Sequence, residues 1–132
     1  LPQLGRDFQR AHALMDIRVE RMLPDVSADD LRQAWADIMR RAKLNAHHKI
    51  TREQLSVREH MTRILRRLAD VRFMEFTELF SDSVDKGHTV PVIVVHFLAM
   101  LELARESLLE VTQAAPYAPI YVRLTYTTQA AN

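Results

Sequence analysis

Histidine is the side chain best suited to proton transfer or metal ligation near neutral pH, and this chain has six histidines but no cysteine. His47 and His48 are adjacent. Neighbouring side chains diverge on a helix or strand, so the pair lacks the i, i+3 or i, i+4 spacing that a tetrahedral metal site uses, and it reads as exposed linker. His96 stands inside a long apolar run with no nucleophile beside it. That setting fits a structural or interface histidine better than a general base. Without cysteine there is no thiol nucleophile, disulfide or sulfur-ligated metal. Gly5 and Gly87 are too few and too far apart for a phosphate-cradling loop. The residues therefore predict no catalytic group, no metal and no cofactor.

The elements that would carry these side chains follow from pattern. Residues 1–24 scatter Leu14, Met15, Ile17, Val19, Met22 and Leu23 among charges with no sustained period, which predicts an arm. Ser27, with Asp30 three residues on, opens a helix whose Leu31, Ala34, Trp35, Ile38 and Met39 recur at 3.6 spacing to about Lys43. Asn45 to Gln54 reads as a polar linker. A capping-box pair, Ser56 and Glu59, begins a second helix with Val57, Met61, Ile64, Leu65 and Leu68 opposite Arg58, Arg63, Arg66 and Arg67. A very short strand is expected within 72–75 and a short helix over Phe76 to Phe80, ending in a loop from Ser81 to Gly87. Thr89 is the expected cap of a long apolar helix to about Glu106, with Pro91 tolerated in its first turn. Leu108 to Ala114 and Ile120 to Thr125 read as strands joined by a loop carrying Pro116 and Pro119. The expected fold is mainly α with a small β-hairpin (α+β). Residues 1–50 form an extended or helical arm, and residues 51–132 a C-terminal winged-helix domain.

Composition bounds the function further. The chain has 132 residues, 48% of them hydrophobic and 27% charged, which is globular composition. There is no apolar run near 18 residues and no basic-then-apolar leader, so a soluble, intracellular protein without a membrane partner is expected. Because the first residue is Leu, a piece of a longer protein is expected. The net charge of +1 hides 14 Lys and Arg against 10 Asp and Glu in residues 1–70, and 4 against 7 in residues 71–132. In a winged helix that binds DNA, the second helix of the helix-turn-helix enters the major groove. Here that helix carries Arg105 as its one Lys or Arg, beside Glu102 and Glu106, and the wing from Ala114 to Pro119 carries none. Sequence-specific nucleic-acid binding is therefore not expected. A winged-helix transcription regulator that binds through the arginines at 58, 63, 66 and 67 stays an alternative. So does a self-associating module, a homodimer through the apolar helix. On a helical wheel that helix is apolar on both sides, with Val94, Phe97, Leu98 and Leu101 on one and Val92, Val95, Ala99 and Leu103 nearly opposite. So small a domain has little material with which to cover both.

Several ordered blocks resemble those of segregation and condensation protein A, the bacterial kleisin family. The run Leu55-Ser56-Val57-Arg58-Glu59-His60-Met61 with Ile64, Leu65 and Leu68 looks like the family's first C-terminal helix. Phe76-Thr77-Glu78-Leu79-Phe80 resembles its F-x-E-L-F block, and Val94 to Leu103 is similar to its V-V-T-F-L-A-L-L-E-L helix. Gln113 and Ile120-Tyr121-Val122-Arg123 look like the closing hairpin. His60, His96 and Met100 replace the commoner Arg, Thr and Leu, and Pro119 stands where an acidic residue is usual.

The resemblance implies a non-catalytic, cytoplasmic, nucleoid-associated subunit of a chromosome-condensing complex. Its winged helix would bind the ATPase head of an SMC protein. Its middle segment would wrap a dimer of segregation and condensation protein B, and the family's N-terminal domain, which binds the SMC neck, would lie outside this chain. On that resemblance Val94, Phe97, Leu98 and Leu101 are the expected SMC contacts, and Ile17, Val19 and Leu23 the expected anchors for protein B.

Overall fold

The computed structural model describes residues 23–45 and 53–125. Ser27 opens α1 (Ala28–Asn45), its hydroxyl accepting from the Asp30 amide at 3.2 Å. A 3₁₀ turn over Glu53–Leu55 leads into α2 (Val57–Ala69). There Ser56 Oγ accepts from the Glu59 amide at 3.2 Å, the bond that the capping-box spacing predicts. The strand β1 is only Met74–Glu75, and α3 (Phe76–Asp85) follows it directly. Then come α4 (Val90–Arg105), β2 (Leu109–Gln113) and β3 (Ile120–Leu124).

Two local expectations need correction. α3 runs on through Ser81 to Asp85, where a loop was expected. The polar letters mislead because Ser83 and Val84 turn inward and are buried, and Ser81 Oγ donates back to the Glu78 carbonyl at 2.9 Å. Gly87, at φ 75°, ends the helix, with the Gly87 amide on Val84 O and the His88 amide on Ser83 O, each at 3.0 Å. This pairing of two amides with two terminal carbonyls is a Schellman motif. Thr89 occupies the N-cap position of α4, yet its hydroxyl caps nothing and is buried without a hydrogen-bond partner among the described residues. Its carbonyl accepts from Val92 and Ile93 instead.

The sheet is antiparallel in the order β1-β3-β2, with Met74 opposite Val122 and Leu109 to Gln113 facing Leu124 to Ile120. This is the winged-helix arrangement. One continuous core joins the helices to it, and α1 belongs to that core: Leu23, Val26, Leu31, Ile38 and Ala42 are buried among the residues of α2, α3 and α4. Trp35 stacks on Phe97 with centroids 4.5 Å apart and meets Phe80 edge-on at 5.5 Å. Residues 28–45 therefore pack as part of the winged-helix body, across the division at residue 50 that the sequence suggests.

Candidate functional site

The residues expected to meet a partner separate into two groups. Phe97 is 1% exposed and Leu101 2%, so both belong to the core. Val94 is half-buried and Leu98 is 37% exposed. Phe97 and Leu101 thus lie in the core, while Val94 and Leu98 reach the surface. The boundary between core and solvent falls within the side of the wheel that held all four, because α1 lays Trp35 over Phe97. The opposite side is closed too, with Val92, Ala99 and Leu103 buried. What α4 shows to solvent is a narrow strip of Pro91, Val94, Val95, Leu98, Glu102 and Arg105. Glu102 and Arg105 are paired there as a salt bridge.

Among the expected arm anchors, Ile17 and Val19 lie outside the described residues. Leu23 is 3% exposed and packs in the domain's own core. Pattern could not reveal this, because one leucine ahead of a helix start carries no period.

A second feature joins residues that the sequence shows only separately. Gln113 Oε1 accepts from the Ser27 amide at 2.9 Å, while its Nε2 donates to Asp30 Oδ2 at 2.8 Å and to the Ala118 carbonyl at 2.9 Å. Asp30 Oδ2 also accepts from the Tyr117 amide at 2.6 Å. Tyr117 is held at φ 70°, in the left-handed region, and its side chain is 90% exposed. The first turn of α1 is thereby bound to the loop of the wing, which holds the tip in one shape. The signal in the sequence was a glutamine at the end of a strand, beside the loop of the wing.

The histidines do form one constellation, and it is not the His47–His48 pair, which lies outside the described residues. His60 Nδ1 is 2.8 Å from His96 Nδ1, with both rings buried, and His60 Nε2 is 2.8 Å from the Gln54 carbonyl. A carbonyl can only accept, so His60 carries its proton on Nε2 and, when neutral, presents a bare Nδ1 to the His96 ring, which also meets the backbone carbonyl of Leu79. Burial first, and then the neighbouring His60, push His96 down to about 3, while burial lowers His60 despite the Gln54 bond. Both rings are neutral links between α2 and α4. With no third ligand they do not make a metal site: among the described residues no three His, Cys, Asp or Glu side chains converge. Among them, too, no helix is long and apolar enough to cross a membrane.

The positive face of α2 remains as expected in the sequence, with Arg58, Arg63 and Arg66 exposed. Arg67 donates to Asp82 Oδ2 at 2.9 Å.

Comparison with known proteins adds to this geometry. Residues 6–125 match the family model described as segregation and condensation protein ScpA. Segregation and condensation protein A of Xylella fastidiosa (strain 9a5c) is 43% identical over 124 residues, which cover 93% of this chain and 40% of that protein. The protein of that name from Coxiella burnetii is 39% identical over 93% of this chain and 45% of its own length. In Listeria monocytogenes serotype 4a the figures are 38%, 75% and 39%. The chain thus spans less than half the length of these relatives. No solved structure matches it significantly.

Proposed function

The chain belongs to the segregation and condensation protein A family, and on that premise we propose that it is a non-catalytic linking segment in chromosome segregation and condensation. In this reading the winged-helix body binds the ATPase head of an SMC protein, and the N-terminal segment within residues 1–50 binds a dimer of segregation and condensation protein B. Its place is the nucleoid in the cytoplasm. The observation that carries the reading is the family match, which runs from residue 6 to residue 125 and so includes both segments. One chain that holds two partners raises the effective concentration of each at the other, which needs no chemistry in the linker.

Val94 and Leu98 are the proposed head contacts on α4, with Phe97 and Leu101 as the rigid layer beneath them. Ile17 and Val19 are the proposed anchors for protein B, and Leu23 ties that segment to the body. Titration calorimetry of the 132-residue chain with a purified SMC head, and separately with the protein B dimer, tests this. Both should bind, and Leu98→Arg should weaken the head by roughly a hundredfold, because a charge without a partner is costly in a desolvated interface. A chain that binds neither protein would overturn the reading. Native head affinity in Leu98→Arg would move the contact away from α4.

A further inference from the structure

We propose that the cavity between α2, α3 and the connection leading into α4 binds a phosphate-class oxyanion. The cavity measures about 230 Å³ and is lined by Arg63, Arg67, Lys86, His88 and His96, with Asp82 as its one carboxylate. Arg63 and Arg67 stand one helical turn apart on α2, and Lys86 is the last residue of α3's cap, so the cations approach from two elements. Arg67 is held by Asp82 at 2.9 Å. Arg63 and Lys86 have no ion pair among the described residues. The cavity therefore carries positive charge in excess, in a concave site where a guanidinium and an ammonium can both donate to the oxygens of one anion.

The end of α3 would ordinarily oppose an anion, since the carbonyls of a helix C-terminus carry partial negative charge. Here three of them are taken: Asp82 O accepts from the Lys86 amide at 2.9 Å, and Ser83 O and Val84 O accept from His88 and Gly87 at 3.0 Å. The excess charge is felt within the domain as well, since Arg63 and Arg67 both help to hold the His96 ring neutral. An anion in the cavity would offset that field. This site does not depend on the SMC and protein B assignments, and it lies on a different face-forming pair of helices from the exposed strip around Leu98.

Histidine-ring NMR of the 132-residue chain tests the proposal. The chain is titrated with inorganic phosphate at constant ionic strength, with chloride as the control, then with adenosine monophosphate and with a short DNA duplex. Phosphate should shift the His88 and His96 resonances saturably in the millimolar range. The double substitution Arg63→Gln with Lys86→Gln should weaken the response by roughly tenfold or more, as expected on losing two charged donors. Both side chains are on the surface, and a melting curve checks that the variant is folded. Equal responses to phosphate and the monophosphate assign the site to a free phosphate group. Saturation by the duplex alone, lost in the variant and weakened by salt, assigns it to a nucleic-acid backbone phosphate. A linear drift matched by chloride, or saturation that persists in the variant, overturns the proposal.

Discussion

The His60–His96 contact has a consequence for stability in acid. Both rings are neutral in the folded domain, held so chiefly by burial, whereas in the unfolded chain each takes up a proton below about pH 6.5. The unfolded state binds more protons, so the pair's contribution is fully present above about pH 6.5 and declines as pH falls from there toward 3. The loss reaches at most about 1.4 kcal/mol per pH unit for each ring. Urea unfolding at pH 7 and pH 5 should show the decline, and replacing both rings with Asn should flatten the slope even where it lowers stability overall. The same scale separates the residues of α4. Leu101→Arg, at a position 2% exposed, should unfold the domain, whereas Leu98→Arg should leave its circular dichroism unchanged. His96 itself was legible in sequence as structural, because an apolar run leaves it little else to be. Its partner was not, since His60 lies 36 residues away and only the packing of two helices brings the rings together.

Elements whose boundaries depend on local chemistry were readable. Ser56 with Glu59, and Ser27 with Asp30, mark helix starts because a hydroxyl and an amide three residues apart can bond without help from the rest of the chain. The end of α3 was missed, because Ser83 and Val84 are buried by neighbours that a local pattern does not contain. The end of α4 offers a direct test. Ser107 sits at φ 63°, where the Schellman motif usually places glycine, and the bonds are complete: the Ser107 amide on Ala104 O at 3.0 Å and the Leu108 amide on Leu103 O at 2.9 Å. A β-carbon is unfavourable in that conformation. Ser107→Gly should therefore stabilise the domain by about 0.5–1 kcal/mol, less the added entropy of the unfolded glycine, visible as a higher melting temperature.

At the scale of the whole molecule, periodicity could say that α4 is apolar all round but not what covers it. The cover includes α1, and a wheel drawn for one helix has no means of showing another. Since Leu31, Trp35, Ile38 and Ala42 fill the core beside Phe80 and Phe97, residues 51–132 alone should expose that aromatic cluster. We expect the isolated segment to melt broadly and to bind a hydrophobic dye, while a piece beginning at residue 23 should melt cooperatively. A sharp melt at the full chain's temperature for 51–132 would show α1 to be dispensable. The strand order adds a constraint in time. β3 lies between β1 and β2 and is the last of the three to be synthesised, so neither of the earlier strands has a partner until Ile120 to Leu124 has left the ribosome. A nascent chain halted before residue 120 would hold its helices with no sheet to close against, and its apolar surfaces would depend on chaperones for as long as translation paused there.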